Sequence, residues 1–175
     1  YNGKIPRNPF AMYHVDPDHK EREFLTLDEL TAMTEIKLED PNMAFARDLF
    51  IFGCWTGISF IDIKNLTEDN ISIVNDAPWI ISKRQKTGVP FQIKLMDIPM
   101  LIIERYKSFR KDNHLFNIGN LDSINKRIKK VAAMCGIKKR VSFHVSRHSW
   151  AVLALEYGMP IESVSKILGH TNITT

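Results

Sequence analysis

Two cysteines are all that the 175 residues contain. Cys54 and Cys135 stand 81 positions apart with no metal-ligand spacing around either. A disulfide framework or a thiolate metal site is therefore not the organising device of this chain, and both thiols are expected in apolar, helical surroundings. Long hydrophobic runs are missing as well. The most apolar stretches, Leu49–Trp55 and Ile98–Ile103, fall far short of a bilayer span. No signal-peptide pattern, internal repeat or low-complexity tract is present, so a cytoplasmic protein with no membrane partner is the default expectation. Charged residues make up 25% and hydrophobic residues 44%, a balance that excludes a disordered chain and suits one compact core.

Acidic residues are scarce in one quarter only. Residues 101–150 carry 12 basic and 3 acidic side chains, whereas residues 1–50 carry 6 and 10. A net charge of +4 conceals this asymmetry. A strongly positive segment in an otherwise balanced chain suits a polyanion-binding face, with a merely solvated helix surface as the plain alternative.

The pattern of elements is mostly helical. Residues 1–24 hold three prolines and little periodicity, and read as a linker or arm that follows a separate N-terminal domain. Thr26-Leu-Asp-Glu29 is a capping box, and Leu25 with Leu30 forms its hydrophobic staple, so a helix is expected to about Lys37. A second helix starts after Pro41 and ends at Thr56-Gly57, and a short one covers Ser59–Leu66. Between Asn70 and Leu95 the composition turns β-branched and aromatic. The segments Asn70–Val74, Trp79–Lys83 and Phe91–Leu95, separated by Asn75-Asp76 and Thr87-Gly88, predict a small antiparallel sheet. Helical spacing resumes from about Met100. Ile124, Ile128, Val131 and Cys135 mark a helix stopped by Gly136, another runs from about His144 to Tyr157, and Pro160 opens a last one that closes at Leu168-Gly169. The fold class expected is α+β, a predominantly helical domain with one three-stranded antiparallel sheet.

Chemistry concentrates in His144-Val-Ser-Arg147-His148. His144 and Arg147 lie three apart and share a helix face. Arginine presents a planar fork of donors that matches two phosphate oxygens, and a neighbouring histidine can bind the same group or move a proton. An i,i+3 His/Arg pair on an ordinary exposed face is the bland reading. Zinc is poorly served, because Val145 stands where a metallohydrolase of that spacing needs glutamate, and neither a metal nor another cofactor is expected.

The order of four boxes makes the resemblance specific. His144-x-x-Arg147 is followed by Leu168-Gly169-His170 and a Thr-rich run. Thr56-Gly57-Ile-Ser59-x-x-Asp62 precedes both, and Lys86-Thr-Gly falls between two expected strands. In this order and spacing the chain, over roughly residues 25–175, resembles the catalytic domain of the tyrosine recombinases, or phage integrases. The resemblance implies site-specific DNA cleavage and rejoining through a 3′-phosphotyrosine link, without ATP. It implies double-stranded DNA as partner, a tetramer of the whole protein on paired sites and a monomeric isolated chain. It assigns phosphate clamping to Arg147, support of the same phosphate to His144 and His170, and the acid role to Lys86. A non-catalytic DNA-binding module, with Met159–His170 as half of a helix-turn-helix, is the alternative.

Two departures matter. Ser59 stands where the family usually has a further arginine, although Asp62 is retained. Thr56–Leu66 in this respect resembles the conjugative-transposon branch. Arg47 is a candidate substitute cation, set against a plain surface ion pair with Asp48. The resemblance also places the nucleophilic tyrosine about nine residues past the Leu-Gly-His histidine, and Thr175 is only five residues past His170. No residue here is assigned that role. Tyr157 precedes the box and is read as helix-end packing, so these 175 residues by themselves are expected not to cleave DNA.

Overall fold

The computed structural model describes residues 23–169; the expected N-terminal arm as far as residue 22, and His170, lie outside the described residues. Among the described residues, seven α-helices and one three-stranded sheet follow each other in the expected sequence. They are α1 (Leu27–Glu35), α2 (Pro41–Thr56), α3 (Phe60–Lys64), β1 (Ile71–Val74), β2 (Ala77–Lys83), β3 (Pro90–Lys94), α4 (Asp97–Tyr106), α5 (Leu121–Met134), α6 (Phe143–Glu156) and α7 (Ile161–Leu168). The largest boundary shift is at α4, which begins at Asp97 rather than Met100, and Pro160 caps α7 instead of forming its first turn. The α+β class stands as read.

Local chemistry explains where the elements begin and turn. The Thr26 hydroxyl accepts from Glu29 N while the Glu29 carboxylate accepts from Thr26 N, so the capping box closes from both sides. Leu25 and Leu30 are both buried beneath it. Asp40 caps α2 at Asn42 N, with Pro41 in the first turn. Asn75 and Asp76 both take left-handed φ values, 48° and 58°, which a two-residue hairpin between β1 and β2 requires. The sheet order is β1-β2-β3, antiparallel throughout, with Ile80 paired to Ile71 on one side and to Ile93 on the other. Alternation in β3 buries Phe91 and Ile93 and leaves Pro90, Gln92 and Lys94 exposed.

The core is organised around α2, which packs against α1, α4, α5 and α6. From Ala46 to Cys54 every α2 residue is buried, as expected of a helix enclosed by others rather than of one lying on a surface. Gly53 is where α6 comes closest, because a β-carbon there would meet Ser146 Oγ at 2.5 Å. One buried carboxylate inside this core gathers three donors. Asp48 accepts from Arg47 Nε (2.6 Å), Arg105 Nη1 (2.7 Å) and the Tyr106 hydroxyl (2.8 Å), joining α2 to α4. Burial, with the bond and charge of Asp48 next in effect, pushes the Tyr106 phenol well above its ordinary range.

Candidate active site

The C-terminus of α2 delivers the first part of the site. Thr56 turns its hydroxyl back onto Phe52 O (2.7 Å), and Gly57 ends the helix at φ 65°, with the Trp150 ring against it. A β-carbon at Gly57 would lie 2.6 Å from that ring, so the position needs glycine for its backbone angle and for space. The Gly57 carbonyl is thereby aimed at α6, where it accepts from Arg147 Nη1 at 3.0 Å.

Helix α6 carries His144 and Arg147 on one face, as their spacing dictates. Both line a cavity of about 300 Å³ together with Ile58, Ser59, Phe60 and Asn125. The His144 and His148 rings meet edge to face, with centroids 4.5 Å apart. The second terminal nitrogen of Arg147 donates to Leu168 O at the end of α7.

A second guanidinium enters from the sheet. Arg84 follows β2, is only 6% exposed and sets its guanidinium carbon over Phe91, 4.3 Å from the ring centroid. Its Nη1 donates to Asp62 Oδ2 at 2.9 Å and its Nη2 to Ile167 O. Asp62 also accepts from Gln85 N (2.8 Å) and the Ser59 hydroxyl (2.6 Å). Burial alone would raise the Asp62 pKa; the bonds from Gln85 N, Ser59 and Arg84 outweigh it and hold the carboxyl below its ordinary value. Ser59, at the usual arginine position, therefore acts as N-cap of α3 and as ligand of the carboxylate that fixes Arg84.

Arg84 and Arg147 feel each other. Burial, with the Arg84 charge next and Asp62 opposing both, brings the Arg147 pKa down to about 10, so the group stays cationic at neutral pH. The two guanidiniums hold successive carbonyls, Ile167 and Leu168, at the negative end of α7. Gly169 then closes α7 at φ 67°, with its α-carbon packed towards the Arg84 side chain. Two positive groups kept together around acceptor oxygens form an arrangement that phosphate oxygens satisfy.

The remaining predicted residues divide. Lys86 is exposed in the turn between β2 and β3, two residues beyond Arg84. Arg47 is not brought to the site. Its side chain is buried and donates to Asp48 and to Met33 O, Thr34 O and Ile36 O, tying the end of α1 to α2. It lies ten residues before Gly57, about 15 Å along the helix axis at 1.5 Å per residue. The expected surface pair with Asp48 is thus a buried one, and the substitute-cation role has no geometry behind it. Arg84 was missed because Lys83-Arg84-Gln85-Lys86 reads as an exposed basic turn. A signal was available: Ile80, Ser82 and Arg84 alternate on one face, and Ile80 is a core residue.

The basic quarter also supplies exposed cations, Lys126, Lys129 and Lys130 on α5 and Lys138 and Arg140 beyond it. Lys139 instead pairs with Glu29 at 2.6 Å. Among the described residues no cluster of three His, Cys, Asp or Glu side chains could hold a metal ion, and no helix is long and apolar enough to cross a membrane.

The model of the phage integrase family matches residues 23–175. A tyrosine recombinase of Thermosipho africanus is 25% identical over 181 residues, which is 99% of this chain and 62% of that protein. Among solved structures, the XerA recombinase superposes with a TM-score of 0.70 at 21% identity over 86% of this chain and 55% of that one. The Tn1549 transposon integrase in complex with circular intermediate DNA gives a TM-score of 0.70 at 18% identity, over 91% of this chain and 61% of that one. The chain spans about three fifths of the length of the relatives that it matches from end to end.

Proposed function

The chain belongs to the phage integrase family, and on that premise we propose that residues 25–175 are the catalytic domain of a site-specific DNA recombinase. The observation that carries this reading is the meeting of Arg84, Arg147 and His144 at one site, from elements up to 63 positions apart in the sequence. The curated relatives are tyrosine recombinases, and the Tn1549 integrase is a transposon enzyme seen with DNA. In this chain the reaction is strand cleavage and rejoining through a 3′-phosphotyrosine, in a tetramer on paired sites. The isolated 175 residues are monomeric and bind duplex DNA without cutting it.

The chemistry follows from the groups present. A tyrosine hydroxyl, supplied from outside these 175 residues, attacks the scissile phosphorus, and the bond to the 5′-oxygen breaks as the phosphotyrosine ester forms. Negative charge develops on the non-bridging oxygens. Arg147 and Arg84, already desolvated and oriented, stabilise that charge with no reorganisation at the moment of reaction. Asp62 keeps Arg84 in place, and Ser59 keeps Asp62 in place. His144 and His170 support the same phosphate. Lys86, on the adjoining turn, delivers the proton that the 5′-oxygen needs to leave. Arg84 thus takes the part that Ser59 cannot play.

The test is a nicked suicide duplex that traps the covalent adduct on a gel, used with the protein extended through its tyrosine. Arg147→Ala and Arg84→Ala should each lower adduct formation about a hundred- to a thousand-fold, the usual cost of one preorganised donor to an oxyanion. Normal adduct from Arg147→Ala would overturn the active-site assignment. DNA binding with no adduct from any extended form would favour a non-catalytic DNA-binding module.

A further inference from the structure

Asn125 lies on α5, outside all four sequence boxes, yet it lines the same cavity as Arg147, His144 and Ser59. Its Oδ1 accepts the Phe143 backbone N–H at 2.7 Å. That N–H is the first in α6, and Ser142, in the N-cap position, makes no side-chain bond to it. Asn125 therefore supplies, from a neighbouring helix, the cap that α6 lacks locally. Because a backbone N–H can only donate, the amide oxygen is committed to it, and Nδ2 with its two hydrogens is left over. Among the described residues no acceptor receives them.

The other polar groups presented there suggest what Nδ2 meets. Arg147 is a pure donor. The first turn of α6 adds the positive end of the helix dipole. The Ser59 hydroxyl already donates to Asp62, and the Ser146 hydroxyl to Phe143 O. A set dominated by donors suits a ligand rich in acceptors, such as a phosphodiester, better than a base edge with mixed donors and acceptors. Lys129, one turn along α5 on the same face, adds a cation to that side.

Resting on the recombinase reading above, we propose that Asn125 has two roles: its oxygen sets the start of α6, and its amide donates to a phosphate oxygen of the DNA strand held by Arg147. It is a positioning residue for His144 and Arg147 through its acceptor side, and a backbone contact through its donor side.

The two sides separate by substitution. Asn125→Asp keeps the acceptor and loses the donor; Asn125→Ala loses both. Asn125→Asp should melt like the parent chain and Asn125→Ala several degrees lower, yet both should bind a duplex oligonucleotide at low salt about tenfold more weakly, the effect of one hydrogen bond to a charged group. Affinity that follows melting, with Ala impaired and Asp normal, would reduce Asn125 to a cap and overturn the contact. Impairment of Asp alone would mark simple charge repulsion and overturn it equally. Nitrogen-15 NMR of the 175-residue chain adds a direct view, the Asn125 side-chain amide being identified by its disappearance in Asn125→Asp. On titration with the duplex that signal should shift along with Arg147 Nε–H. A shift of Arg147 without Asn125 would sink this inference and leave the recombinase reading intact; no shift of either would sink both.

Discussion

At the scale of single residues, Asp62 and its three partners decide how Arg84 behaves. The carboxyl titrates below its ordinary value of 3.8 in the folded chain. A depressed carboxylate contributes stability that is present above the unfolded pKa and lost as pH falls through the folded one. Thermal melting of the parent chain followed down from pH 5 should therefore fall more steeply than that of Asp62→Asn, and parallel curves would mean that Asp62 is not coupled to folding. Charge alone would make Ser59→Ala nearly silent, since a hydroxyl cannot replace a guanidinium. The structure adds a cap and a ligand to its role. That substitution should cost about 1 kcal/mol of stability, as for other N-cap losses, and should raise the Asp62 pKa, read by carboxyl carbon NMR. Arg84→Lys keeps a charge but lacks the planar fork that bonds both Asp62 and Ile167 O, so adduct formation should recover only in trace.

At the scale of elements, two glycines set the join of α2 to α6. Gly53 admits Ser146, and Gly57 admits Trp150 while aiming its carbonyl at Arg147. Gly57→Ala combines a left-handed backbone with overpacking against the indole, each of which typically costs about 1–3 kcal/mol. Chemical denaturation should show that loss, and Arg147 should lose its anchor with it, so DNA binding should weaken more than for an equally destabilising change in the middle of α2. Asp48 offers that comparison. Asp48→Ala strands the buried Arg47 and should destabilise by about 3–5 kcal/mol. Its effect on DNA affinity at a temperature where it remains folded should be small, because Arg47 and Arg105 lie away from the cavity.

For the whole molecule, the basic quarter and the cavity should act as one surface. Duplex DNA affinity of the 175-residue chain should fall steeply as salt rises, each neutralised phosphate contributing close to one unit of slope in log K against log salt. Charge reversal at Lys126, Lys129 and Lys130 together should flatten that slope, measured by fluorescence anisotropy at several salt concentrations. An unchanged slope would place the DNA on another face.

Sequence patterning by itself determined the element order, the cap at Thr26, the Asn75-Asp76 hairpin and the pairing of His144 with Arg147. All of these are local: they depend on neighbours within a few positions, and burial of one face or one hydrogen bond is enough to specify them. The four boxes also carried the family, because their order survives in the linear chain. Which charges share a space is settled in three dimensions. Strand alternation marks Arg84 as facing inward, but neither its neighbours nor those of Arg47 say which groups each side chain meets. Folding sends Arg47 to Asp48 and the carbonyls at the end of α1, and Arg84 to Asp62 of α3, because each buried carboxylate needs a cation within reach. Asn125 escaped for the same reason, since its partner is a backbone N–H 18 residues away, and such a bond leaves no trace in composition or period.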